Sequence, residues 1–169
     1  MKKLNPRRLF YLLLLLTCGA LLGFGYYLQF VDGLEPCPLC ILQRLAFIAV
    51  FIISVIGFIH APATAWFRVY SGLISITALI GAGIAGRQVW LQHLPADKIP
   101  ECGPGLEYML DVLPLADVIK IIFTGSGECA EVNWTLLSLS IAEWSLICFV
   151  ALLIVSAVHC VKGGLVKSP

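Results

Sequence analysis

The stretch Glu35-Pro36-Cys37-Pro38-Leu39-Cys40-Ile41-Leu42-Gln43-Arg44 sets two cysteines two residues apart. That spacing suits a dithiol that cycles with a disulfide, one half of a zinc site, or two small apolar residues at a helix start. Five more cysteines follow or precede it: Cys18, Cys102, Cys129, Cys148 and Cys160. Which of them react together depends on the compartment each one faces. The compartment depends on the elements that carry them.

Those elements are apolar. Of 169 residues, 60% are hydrophobic and 12% charged, with a mean hydropathy of +0.96. A soluble domain is roughly half apolar and a quarter charged, so this chain belongs in a lipid bilayer. Apolar segments cover approximately residues 9–31, 41–59, 69–91 and 144–161, each long enough to cross the hydrocarbon as a helix. Arg44 and Arg87 lie near span ends, where long basic side chains snorkel to the interface. The expected fold is all-α: one integral membrane domain over residues 1–169, built as a four-transmembrane-helix bundle.

Charge predicts the orientation. Lys2, Lys3, Arg7 and Arg8 precede the first span, Arg68 lies between the second and third, and Lys162 and Lys167 follow the fourth. All ten acidic residues, Asp32 and Glu35 and then Asp97 through Glu143, fall in or beside the other two loops. The positive-inside rule therefore puts both termini in the cytoplasm and the acidic loops outside. Residues 1–18 loosely resemble a signal peptide ending at Leu15-Leu16-Thr17-Cys18. The apolar run continues to Val31, however, which is too long for a signal core, and an uncleaved helix is expected.

Two unequal outer loops result, a short one over about residues 32–40 and a long one over about 92–143. Within the long loop, residues 113–123 are too short to cross and too apolar to float free. Asp117 and Lys120 share one helical face there, opposite Leu115, Val118, Ile119 and Ile122. This predicts a short helix in the outer interface or against the bundle.

The orientation sorts the cysteines. Cys18 and Cys148 lie within spans and Cys160 at the cytoplasmic end of the last, where buried cysteine acts as a small hydrophobe. Cys37, Cys40, Cys102 and Cys129 all lie outside, and four cysteines facing an oxidising compartment favour disulfides over zinc. Only Cys37 and Cys40 have the tight spacing of metal ligands, so no metal is expected. Cys102–Cys129 would close a long loop, worth about 3–4 kcal/mol on a chain-entropy basis, with glycines and a proline leaving its sulfurs open to attack. Cys37–Cys40 is the short-loop redox type, with Cys40 near a helix N-terminus whose dipole favours a thiolate.

Arg44 stands one turn beyond Cys40 on the same helical face. Its permanent charge suits a thiolate, or a negatively charged oxygen of a molecule bound beside it. At the boundary of lipid and outer water, a membrane-dissolved quinone is an electron acceptor that can arrive there.

Pro36-Cys37-Pro38-Leu39-Cys40 with Gln43-Arg44 at the start of the second span resembles the bacterial disulfide bond formation protein B (DsbB) family. So does Gly127-Glu128-Cys129-Ala130-Glu131 followed by Trp134 and Trp144. The resemblance covers nearly the whole chain. It implies a bacterial inner-membrane thiol:quinone oxidoreductase, part of the relay that keeps the periplasm oxidising. By that resemblance Cys102 takes a mixed disulfide with a DsbA-like thioredoxin-fold oxidase, with Cys129 as its partner. Electrons then pass to Cys37–Cys40, with Cys40 nearest the quinone and Arg44 contacting it. The acceptor implied is ubiquinone or menaquinone from the membrane pool, and no nucleic-acid partner is expected. The resemblance assigns no quinone contact to residues 87–93. Two other classes share some of these features: a vitamin K epoxide reductase-like enzyme, in which the cysteine order is reversed, and a tetraspan scaffold with purely structural disulfides.

Overall fold

The computed structural model describes residues 5–60, 62–98 and 127–162, with isolated positions 111, 112, 114 and 117. Among them, four helices are long and apolar enough to cross a membrane: α1 (Pro6–Phe30), α2 (Pro38–His60), α3 (Thr64–Gln92) and α4 (Ile141–Lys162).

Three of the four helices start where a side chain satisfies one of the first N–H groups; α3 starts after Ala63 without a side-chain cap. Asn5 caps α1, its side-chain oxygen accepting from the Arg7 N–H at 3.2 Å, with Pro6 preset for the first turn. At α2 the sulfur of Cys37 plays that part: it accepts the backbone N–H of Cys40 at 3.4 Å, and the Cys37 carbonyl accepts from Ile41. At α4, Ser140 and Glu143 form a reciprocal capping box. The Glu143 carboxylate accepts the Ser140 N–H at 2.7 Å and the Ser140 hydroxyl accepts the Glu143 N–H at 3.3 Å. The same hydroxyl donates to the Gln92 side chain at 2.8 Å, tying the start of α4 to the end of α3.

The helices are apolar on all sides, and only 17% to 33% of the most apolar window of each is buried inside the bundle. The remaining apolar surface, including Leu13, Leu16, Ile52, Leu73, Ile76 and Ile154, faces outward. That arrangement is stable in lipid and not in water. This is a multi-pass membrane protein.

Inside the bundle α3 packs extensively on α4, and α2 lies between α1 and α3. The main core gathers Tyr11 and Cys18 from α1, Val50 from α2, Ile74 and Ala78 from α3, and Phe149 from α4. Phe47 and Phe149 stack with centroids 4.0 Å apart. Close packing needs glycine opposite the large rings. A Cβ on Gly57 would stand 2.7 Å from the Tyr11 ring, and one on Gly81 would collide with Phe149.

A second, smaller core lies at one end of the bundle. It joins Cys37 and Leu39 with Ile84 and Leu91 of α3 and with Cys129, from the 3₁₀ turn Gly127–Cys129. Beyond that turn, β1 (Thr135–Leu136) and β2 (Leu139–Ser140) form a small antiparallel hairpin. Leu137 and Ser138 link them with φ of 54° and 66°, the positive-φ turn whose twist suits a tight hairpin. The segment 113–123, expected as a short interfacial helix, lies almost wholly outside the described residues.

Candidate redox-active site

Three of the four cysteines expected to react are described, and they meet. Cys37 and Cys40 stand at the N-terminus of α2 with their sulfurs 2.9 Å apart, as unbridged thiols. The capping geometry requires this proximity, because a cap residue and the third residue of a helix lie side by side. Cys129, fully buried, comes from a different loop and packs into the same small core. Hydrogen bonds to Cys129 and then Cys40, reinforced by burial, push the pKa of the Cys37 thiol well above the ordinary thiol range. Cys102, the fourth, lies outside the described residues.

The sequence reading missed the group that touches both α2 sulfurs. Gln88 of α3, 3% exposed, puts its amide nitrogen 3.2 Å from the Cys40 sulfur and 3.4 Å from the Cys37 sulfur. Its oxygen accepts from the Gln43 amide at 2.6 Å, and Gln43 is itself 4% exposed. The Gln88 oxygen also lies 3.6 Å from the Cys40 sulfur, a longer approach than that of the nitrogen. A legible signal existed. A glutamine inside an apolar span is costly unless its amide is satisfied, so such residues mark sites.

Arg44, one turn beyond Cys40 in α2, is bonded across to α1. Its guanidinium donates to the side chain of Gln29 and, at 2.9 Å, to the carbonyl of Gly25, both on α1. It also lies over the Tyr26 ring at 5.1 Å. These bonds direct it across to α1 and hold its charge in the wall of a cavity. Of the two roles open to it, they favour a group bound in that cavity over the Cys40 thiolate.

The cavity measures about 320 Å³ and is bordered by Cys37, Cys40, Gln43, Arg44 and Gln88, with Phe24, Leu28, Phe47, Trp134 and Trp144 as apolar walls. Glu35, Glu128 and Glu131 also border it. The hairpin shapes one side: Trp134 meets Phe24 edge to face at 5.5 Å, and the Trp144 indole donates to the Leu136 carbonyl at 3.1 Å. Volume and lining suit a small, largely apolar molecule with a few polar atoms. Cys148 reaches the cavity from α4, Cys18 is buried in the main core, and the Cys160 thiol lies 3.6 Å from the Arg68 carbonyl. Of residues 87–93, Gln88 and Gln92 border the cavity. His93 lies outside it, 3.9 Å from Glu143.

A four-helix membrane bundle that sets a thiol pair beside a third, buried cysteine and an apolar cavity belongs to the class of membrane thiol–disulfide proteins. The comparisons with known proteins agree. The family model for disulfide bond formation protein DsbB matches residues 7–159. Disulfide bond formation protein B of Azoarcus sp. (strain BH72) is 50% identical over 143 residues, covering 85% of this chain and 86% of that protein. Its counterpart in Methylococcus capsulatus is 50% identical over 149 residues, covering 88% and 91%. A protein of the same name from Hahella chejuensis is 49% identical over 143 residues, covering 85% and 87%. The chain belongs to the DsbB family, and with it to the disulfide oxidoreductases. Membership removes the vitamin K epoxide reductase-like alternative.

Proposed function

We propose that this protein reoxidises a DsbA-like periplasmic dithiol and passes the electrons through two cysteine pairs to a membrane quinone. The observation that carries the reading is the meeting of Cys129 with Cys37, beside Cys40 and the cavity. Exchange between the two loops requires that contact.

The steps balance without any further reagent. A thiolate of the reduced partner attacks Cys102 in a Cys102–Cys129 disulfide, forming a mixed disulfide and releasing Cys129. Cys129 attacks Cys37 in a Cys37–Cys40 disulfide, and the S–S electron pair leaves on Cys40. The partner's second thiol displaces Cys102, which releases the oxidised partner. Cys102 then attacks Cys129, restores the loop disulfide and returns Cys37. The partner's two electrons now reside on the Cys37–Cys40 dithiol. A bound quinone supplies the acceptor for two electrons and two protons, and the cavity beside Cys40 has the size and apolar walls for its ring. Arg44 would hold a quinone oxygen there, its guanidinium kept in place by Gln29 and Gly25.

The same reading makes residues 1–169 one domain of the bacterial inner membrane, with both termini cytoplasmic and the loops at about 32–40 and 92–143 periplasmic. The acidic residues gathered in those loops support it. The deciding experiment combines the purified protein, a reduced thioredoxin-fold partner and a quinone, and follows quinone reduction. Turnover is expected to vanish in Cys40→Ser while the protein still inserts. Retained turnover would leave the pair a structural role only.

A further inference from the structure

We propose that Gln88 is a catalytic residue of this exchange: its amide N–H groups hold the sulfurs of Cys37 and Cys40 and stabilise the thiolate that leaves on Cys40. The inference rests on the function proposed above and adds a residue to it.

The geometry carries the assignment. One amide nitrogen reaches both reacting atoms, at 3.4 Å from Cys37 and 3.2 Å from Cys40. A primary amide has two N–H bonds, enough to serve both. Which end of the amide faces the sulfurs is set by Gln43, whose N–H donates to the Gln88 oxygen at 2.6 Å and engages that end. The two glutamines thus form a relay from α2 to α3 and back to the cysteines of α2. The Gln43–Gln88 bond engages the Gln88 oxygen and leaves both buried N–H groups of Gln88 in need of an acceptor. Here the remaining donors are aimed at sulfur.

The chemistry needs such a donor. When Cys129 attacks Cys37, a Cys129–Cys37 bond forms, the Cys37–Cys40 bond breaks, and its electron pair leaves on Cys40 as a negative charge. Leu39, Ile84 and Leu91 surround the pair with hydrocarbon, so water does not solvate that charge from their side. In such surroundings a preorganised N–H is worth more than in water. A carboxylic acid in this place would titrate and, once ionised, repel the thiolate. A lysine would add a full charge. The amide donates at every pH and stays neutral.

The test uses the full-length protein with Cys102 and Cys129 replaced by serine and Cys148 and Cys160 by alanine. The Cys37 and Cys40 peptides are read by mass spectrometry, so that the Cys37–Cys40 pair is followed without exchange through the loop cysteines. Gln88→Met keeps the side chain's length and removes its donors. The pair's equilibrium with glutathione is expected to move toward the disulfide by about tenfold, near 30 mV for a two-electron couple. Iodoacetamide labelling of Cys40 in the reduced protein is expected to slow by about tenfold. Gln43→Leu, which frees the amide to rotate, shifts both readouts the same way by less. If Gln88→Met fails to accumulate, Gln88→Asn, one carbon too short to reach both Gln43 and the sulfurs, is read in its place with the same expectation. A pair with unchanged equilibrium and unchanged labelling would overturn the role of Gln88. Absence of quinone reduction by the otherwise unaltered protein would overturn the functional reading instead, so the two failures are distinct.

Discussion

The backbone N–H of Cys40 points at the sulfur of Cys37 from 3.4 Å, so the atom proposed to exchange disulfides is also the cap of a transmembrane helix. A cap sulfur is held within reach of the third residue of its helix by the same geometry that satisfies the helix end. The C-x-x-C spacing and the helix start are therefore one feature seen twice.

Serine and alanine should separate those two duties of Cys37. Serine is a favoured cap residue, so Cys37→Ser should fold with nearly unchanged stability, whereas Cys37→Ala loses the cap and about 1 kcal/mol. Both should be inactive in quinone reduction. Thermal unfolding in detergent, beside turnover, checks the pair; equal stability of the two variants would mean that the cap contributes nothing.

Arg44 is expected to act on the acceptor and not on the partner. Lysine keeps the charge but lacks the planar fork that serves Gln29 and Gly25 together. Arg44→Lys should raise the apparent KM for quinone and Arg44→Ala should raise it further, by about tenfold. Single-turnover oxidation of the partner should be largely preserved. An unchanged KM in Arg44→Ala would make the residue an anchor to α1.

Cys37 should be slow to alkylate over the ordinary range of thiol titration. Its hydrogen bonds to Cys129 and Cys40, with burial, raise its pKa, and a raised pKa lowers the thiolate fraction at any given pH. Only the thiolate reacts. In reduced protein, iodoacetamide labelling of Cys37 should therefore stay low through about pH 8.5, where a free thiol is half ionised, and rise only at higher pH. Mass spectrometry of the labelled peptides across pH 7 to 10 reads this directly. Half-maximal labelling at or below pH 8.5 would contradict the protonated, hydrogen-bonded thiol.

A membrane-impermeant thiol reagent applied to intact cells after reduction should label cysteines of the outer loops. Cys102 should react faster than Cys129, whose side chain is fully enclosed. Cys160, at the opposite end of α4 from the Ser140–Glu143 cap, should remain unlabelled. Labelling of Cys160 from outside would reverse the orientation.

Much of this molecule is legible in one dimension, because in lipid the backbone must satisfy itself. Any apolar run of sufficient length is then a helix, whatever packs against it. That is why the four helices could be read from hydropathy alone. Their starts could not, since each lies before its apolar run. Asn5, the Cys37 sulfur and the Ser140–Glu143 box extend α1, α2 and α4 through polar or cysteine-bearing turns that hydropathy does not register.

The closeness of Cys37 and Cys40 was also legible, because the two are near neighbours in sequence and helical geometry brings their sulfurs together. Contacts between distant segments were not. Helical periodicity places Arg44 beneath Cys40, yet the guanidinium turns to α1, where two acceptors offer more than a thiol does. The same periodicity is silent about Gln88, which lies 48 residues from Cys40 and reaches it only because α3 packs against α2. Cys129 likewise joins Cys37 through the burial of a turn between α2 and α3. The sequence alone determined the four long apolar helices, the family and the placing of Cys37 and Cys40 together at a helix start, since these depend on composition and short-range spacing. Tertiary packing decided which side chains face the sulfurs, because that depends on how neighbouring helices are rotated against one another, which no local pattern encodes.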